Sequence, residues 1–271
     1  LEPTSLLSSI TFITYITFVT PPTVIRTSLH DRILHLTFAR AEKKNALNSA
    51  MYEALTQALI DAEGNSDVHA VLFDAEGDTF TAGNDLSEFA AVASGALHPS
   101  ELQAVKFLDV LTRGTKPYVA AVQGAAVGIG TTLLLHCDLV YVAQDARLST
   151  PFANLALVPE AGSSVLLPAR IGHVRACAMF ALGESIDGRT AASLGLVNEA
   201  VPASELGPRA LAAAKALASK PIGALQATKK LMRDADAIRA IMAREVEVFG
   251  ERLKTVEARQ AFEAFAKRSV R

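Results

Sequence analysis

The chain has 271 residues, half of them hydrophobic and a fifth charged, a globular balance that allows one large α/β core. Its 26 Lys and Arg against 28 Asp and Glu leave a net charge of −2, without the basic excess of a nucleic-acid-binding domain. The two cysteines, Cys137 and Cys177, show no metal-type spacing and read as reduced, buried thiols of a cytoplasmic protein.

Residues 6–19 are apolar and Thr-rich, with no basic flank and no cleavage site for a signal peptide. The run is short and hydroxylated for a membrane span, and its alternation suits a strand. Residues 1–22 therefore read as a leader or extension ended by Pro21 and Pro22, and no membrane association is expected. Residues 24–29 and 33–38 alternate around His30 and Asp31, which predicts a hairpin. Asn48 is placed to cap a helix over 51–63. A buried strand is predicted over 70–73, a capped helix over 100–113, a strand over 118–122, an apolar helix ending at Cys137 and a strand over 139–142. Beyond Gly162 nearly everything reads as helix, with an amphipathic tail over 237–268. The order of strands and helices predicts an α/β core over 23–200 followed by a helical region over 201–271.

Two turns after buried strands carry chemistry. One is Phe80-Thr81-Ala82-Gly83-Asn84-Asp85-Leu86; the other is Gln123-Gly124-Ala125-Ala126-Val127-Gly128-Ile129-Gly130, which opens a helix. Backbone N–H groups at such turns are free to bind an oxygen, and two converging on one atom would stabilise an oxyanion. Each alone is better explained as a tight turn. The second has neither the dinucleotide G-x-G-x-x-G spacing nor the Gly-Lys-Ser/Thr of a phosphate loop.

Together with residues 40–47, Arg-Ala-Glu-Lys-Lys-Asn-Ala-Leu, and with His136-Cys137-Asp138, these motifs closely resemble the crotonase superfamily of enoyl-CoA hydratases and isomerases, in order and spacing from about Val24 onward. Ala41 departs from the Pro often found there. The resemblance implies a spiral of β-β-α repeats with a C-terminal helical region that mediates trimerisation, as a homotrimer or a hexamer. It implies an acyl-CoA thioester as ligand, with coenzyme A part of the substrate and no metal or other cofactor. Carried over by position, it implies that the thioester oxygen receives the main-chain N–H groups of Asn84 and Ile129. Ala46, Leu47, Ala82, Asp85, Leu86 and Gly128 would lie along the ligand, and Lys267 would approach its nucleotide from a neighbouring subunit.

The two glutamates of the hydratases are absent: Thr132 and Phe152 stand at their positions, and neither moves a proton at neutral pH. The stretch from Thr150 to Ser164 resembles Δ3,Δ2-enoyl-CoA isomerases of the peroxisomal type, which implies that Glu160 is a single acid/base, with Phe152 near the acyl group. The alternative for Glu160 is an N-cap or first-turn acid of the following helix. An unusual hydratase or other acyl-CoA enzyme, and a non-catalytic acyl-CoA-binding homologue, are the competing functions. His136 reads as a satisfied core histidine, and Lys229, Lys230 and Arg233 as a solvated basic face.

Overall fold

The computed structural model describes residues 24–269; the strand-like run of 6–19 lies outside the described residues. β1 (Ile25–His30) and β2 (Ile33–Phe38) pair antiparallel. Asp31 and Arg32 close them at φ 51° and 63°, the left-handed pair that matches strand twist in a two-residue hairpin. β3 (Ala70–Ala75), β4 (Tyr118–Val122), β6 (Leu139–Ala143) and β9 (Glu199–Val201) then add in parallel, giving the order β1-β2-β3-β4-β6-β9. A second layer holds β5 (Ala125–Val127), β7 (Arg147–Ser149) and β8 (Ser185–Asp187), and single bridges Leu47↔Asn84 and Thr81↔Ala126 extend it.

The chain therefore climbs as a spiral. A strand of the large sheet turns a corner into a short segment of the second layer, and a helix leads back. The corner after β4 is Gly124, at φ 57°, where a Cβ would come within 1.8 Å of the Asp78 carbonyl oxygen. Phe38, Phe73, Phe80 and Tyr118 are buried against the large sheet, with Phe38 and Phe80 5.0 Å apart by ring centroids.

The helices are α1 (Ser49–Gly64), α2 (Ala90–Ala93), α3 (Gln103–Arg113), α4 (Ile129–Thr132), α5 (Ser163–Ile171), α6 (His173–Cys177), α7 (Gly188–Ser193), α8 (Ala203–Ala218), α9 (Ile222–Met232), α10 (Ala235–Leu253) and α11 (Val256–Ser269). Asn48 caps α1 as its sequence predicts, its side chain accepting from the Met51 N–H at 3.0 Å. The helix predicted over 100–113 is divided: a 3-10 turn (Pro99–Glu101) capped by His98 precedes α3, because Leu102 is extended. The apolar helix ending at Cys137 is α4 followed by a 3-10 segment (Leu133–His136), and the predicted tail breaks between α10 and α11. β5, β7, β8 and β9 have three residues each, too few for alternation to mark them in sequence.

Candidate active site

The first turn is fixed by a buried asparagine. Asn45, at φ 53° and fully buried, donates from Nδ2 to the carbonyls of Glu76 (2.9 Å) and Thr79 (2.8 Å), and its Oδ1 accepts from the Arg40 N–H. The Arg40 guanidinium donates to the Ala46 carbonyl (2.8 Å) and to the Asp85 carboxylate (3.0 Å). Segment 40–47 is thus laid beside 81–85. Leu47 N–H donates to the Gly83 carbonyl and Asp85 N–H to the Leu47 carbonyl, both at 2.8 Å. In such a parallel bridge the residue between those two partners turns its own N–H the other way. That residue is Asn84, and no hydrogen bond among the described residues engages its N–H. Its side-chain Oδ1 accepts from the Tyr52 hydroxyl. Gly83 sits at φ 94°, and a Cβ there would lie 2.9 Å from the Val127 carbonyl oxygen, so the two turns approach as closely as glycine permits.

The second turn leaves β5 through Gly128, whose N–H donates to the Ser149 carbonyl (2.9 Å). The Gly128 carbonyl accepts from Thr131 and Thr132, which starts α4. Ile129 opens that helix with φ outside the left-handed region, so its Cβ is accommodated without strain. The Ile129 N–H, at the first position of the helix, has no acceptor among the described residues.

Glu160 is 8% exposed and accepts a 2.6 Å hydrogen bond from the Thr132 hydroxyl. The loop that carries it curls through two left-handed residues, Ala161 (φ 60°) and Gly162 (φ 71°). Two buried side chains hold this curl. Glu245 of α10 accepts from the Gly162 N–H (2.6 Å) and the Ser164 N–H (3.0 Å). His136 lies 2.7 Å through Nε2 from the Ala161 carbonyl, so Nε2 carries the proton and Nδ1 accepts from Arg233. Burial, helped by Arg233, pushes the His136 pKa down to about 3, so it is a neutral clamp. Burial also raises the Glu160 pKa to about 8; the Thr132 hydrogen bond works against the rise and the nearby Glu245 carboxylate adds to it. Glu160 does not cap α5: the cap position is Gly162, and Glu245 takes first-turn amides.

A cavity of about 1060 Å³ opens over the two turns. Ala46, Ala82, Asn84, Asp85, Leu86, Gly128, Ile129 and Phe152 all line it; Leu47, Glu160 and Lys267 do not. Arg40, Lys43 and Lys44 supply basic lining, while Phe89, Phe152, Leu157 and Phe249 supply an apolar cluster. Helix α11 covers the cavity of its own chain, contributing Phe262 and Phe265, with Phe262 stacked on Phe89 at 6.4 Å. Lys267 is exposed on α11. Among the described residues no cluster of His, Cys, Asp or Glu could hold a metal ion, and no helix is long and apolar enough to cross a membrane.

Several sequence readings are corrected. Cys137 is buried, but Cys177 is exposed on the outer side of α6. Lys229 is no solvated cation: it is buried, paired with Asp138 at 2.8 Å and set over the Tyr118 ring. Arg233 is half-buried on the His136 carbonyl and ring, which leaves Lys230 as the exposed member of that trio. His136 is a satisfied core histidine as expected, with the added task of holding the Glu160 loop. Three site residues escape the sequence reading. Tyr52 shares α1 with Met51, Leu55 and Leu59 and looks like core. Thr132 reads there only as a lost glutamate. Glu245 had a signal: it falls at helical spacing with Ile238, Met242, Phe249 and Leu253, an acid on an apolar stripe.

The fold and the two facing turns define an α/β spiral protein with a cavity over two main-chain N–H groups that have no acceptor among the described residues. A family model for enoyl-CoA hydratase/isomerase matches residues 29–270, and the chain belongs to that family. It is 32% identical over 241 residues to "Enoyl-CoA delta isomerase 2" of Rattus norvegicus, covering 87% of this chain and 61% of that longer protein. It is 33% identical over 243 residues to a "Probable enoyl-CoA hydratase" of Rhodobacter capsulatus, covering 89% and 94%. The solved enoyl-CoA hydratase/isomerase of Pseudoalteromonas atlantica T6c superposes with a TM-score of 0.85 at 37% identity, over 90% of this chain and 97% of that one. OdaA of Pseudomonas aeruginosa gives 0.83 at 39%, over 89% and 98%. The crotonase-like fold read from the sequence is thereby established.

Proposed function

We propose that this chain is a Δ3,Δ2-enoyl-CoA isomerase that moves a double bond by a single-base 1,3-proton transfer. The observation that carries the reading is the buried Glu160 carboxyl, hydrogen-bonded by Thr132 at the position where a hydratase has one of its acids. The thioester carbonyl of a 3-enoyl-CoA would sit against the N–H groups of Asn84 and Ile129, which form the oxyanion hole. Glu160 takes the C2 proton; the electrons of that C–H bond enter a dienolate whose oxygen the two donors hold. The proton then returns to C4, leaving the bond between C2 and C3. No water, metal or second acid enters the balance, and coenzyme A is part of the substrate.

Glu160 does not itself line the cavity; Ile129, which does, opens the short helix whose Thr132 holds the Glu160 carboxyl. Lys43, beside Arg40 and Lys44 that pair with Asp85 and Asp78, offers charge to the phosphates, and assembly of copies into a trimer or hexamer is part of the same reading. The R. capsulatus relative, matched over nearly its whole length, favours hydration as the second reading.

Purified protein mixed with a 3-enoyl-CoA should produce the ultraviolet absorbance of a conjugated thioester, and Glu160→Gln should abolish it. Fast hydration of crotonyl-CoA without isomerisation supports the second reading. Tight thioester binding with no turnover, unaffected by Glu160→Gln, marks a binding protein.

A further inference from the structure

Tyr52 lies in the first turn of α1, 2% exposed, its ring 5.6 Å from that of Phe107. A phenol buried this deeply needs an acceptor for its proton. The acceptor is the Asn84 side-chain oxygen. Of the two carboxylates whose charges reach it, Glu88 is engaged by the Ser49 hydroxyl and Glu160 by the Thr132 hydroxyl. Burial first, and then the charges of Glu160 and Glu88, oppose ionisation of the phenol, so Tyr52 remains a neutral donor. Its hydroxyl is thus committed to the side chain of the residue that presents one main-chain donor.

We propose that Tyr52 is a positioning residue: by holding the Asn84 side chain, it steadies the residue whose N–H faces the cavity, beside the Leu47 bonds that hold its backbone. The Leu47 N–H binds the Gly83 carbonyl, which shares a peptide unit with the Asn84 N–H, and the Leu47 carbonyl accepts from the Asp85 N–H, so residue 84 is held from both flanking peptides and the phenol adds a third hold through its side chain. The tether is rigid because α1 is. Asn48 caps it, and the Tyr52 N–H is itself bonded to the Asn48 carbonyl at 3.0 Å. Without the phenol, the Asn84 side-chain amide would be free to turn into the cavity it lines, crowding the carbonyl that the donor receives and loosening the hold on residue 84. The inference rests on the oxyanion-hole reading above and adds a residue to it.

The test uses the chromophoric thioester 4-dimethylaminocinnamoyl-CoA, whose absorbance shifts to the red as its carbonyl is polarised. Wild type should give a large shift. Tyr52→Phe should give a clearly smaller one, with dissociation constant and thermal midpoint close to wild type. On a 3-enoyl-CoA its kcat should fall about ten- to a hundredfold at nearly constant KM, the scale of a misplaced group. Asn84→Ala, which keeps the main-chain donor and the ring, should reproduce the smaller shift, and adding Tyr52→Phe to it should cost nothing more. An unchanged shift and kcat in Tyr52→Phe, or full additivity in the double variant, overturns the proposal. Should Tyr52→Phe fail to fold, an unaltered shift in Asn84→Ala overturns it alone. A wild-type shift without isomerisation refutes the reaction and leaves Tyr52 supported; no wild-type shift refutes both.

Discussion

Replacing Glu160 by Gln should stabilise the fold while silencing it, and the gain should depend on pH in one direction only. In the unfolded chain the carboxyl ionises near 4.5; in the fold burial holds its pKa at about 8. Between those values the folded protein carries a proton that the unfolded chain has lost, so stability falls as pH rises through the window. Below 4.5 both states are protonated and the penalty vanishes; above about 8 it is complete. At about 1.4 kcal/mol per unit, the ceiling is about 5 kcal/mol. The Gln amide must still meet the Thr132 hydroxyl and be buried, so a gain of several kcal/mol, or about 5–10 °C in midpoint at pH 9, is expected. Urea unfolding followed by circular dichroism at pH 6, 7, 8 and 9 measures it. The difference between variant and wild type should grow by about 1.4 kcal/mol per unit up to pH 8 and then level. Parallel curves, with a difference independent of pH, would mean that Glu160 is ionised throughout and would refute the reasoning.

The same shift governs rate: kcat/KM should rise about tenfold per unit below pH 8 and reach a plateau above it, since it reports the base of the free enzyme. Thr132→Val removes the hydrogen bond that favours the ionised carboxyl, and should move this limb about one unit higher and cut activity at pH 7 about tenfold. Glu245→Gln removes the neighbouring negative charge, so the limb should move to lower pH; it also loses one acceptor for the Gly162 or Ser164 amide, costing about 1–3 kcal/mol in urea unfolding. Gly83→Ala forces a Cβ against the Val127 carbonyl at a left-handed φ, and should lower kcat about a hundredfold or more, read by stopped-flow absorbance.

How far sequence reaches here depends on the range of the forces involved. The hairpin, the Asn48 cap and the strands, read over 70–73 and 118–122 and found over 70–75 and 118–122, are local matters of alternation and capping, and they are legible. The four three-residue strands were not, because each exists only by pairing with a segment far along the chain. The two turns were visible as glycine-bearing corners, but which N–H faces the cavity is decided by the Leu47 bridge, 37 residues before Asn84 in one direction of pairing. Lys229 and Arg233 misled for the same reason. Three cations in five positions look solvated until Asp138 and His136 are brought to them from about 90 residues away.

The placement of Glu160 explains why so many polar groups are buried around it. An acid with a pKa near 8 takes several kcal/mol from a fold whose whole margin is about 5–15 kcal/mol. The loop that bears it is held in two successive left-handed residues, which the chain would leave if allowed. Each anchor answers one of these demands. Glu245 binds the amides that the curl exposes, His136 binds the carbonyl that it turns inward, and Thr132 is the contact made with the carboxyl itself. The anchors come from α10, from the 3-10 segment after α4 and from α4, so the acid is referenced to the same short helix that presents the Ile129 N–H. A threonine at 132 is then more than a missing glutamate. A second carboxyl there would face Glu160 across a hydrogen-bond length, raising the penalty of ionising either group, whereas a hydroxyl orients the base and lowers that penalty.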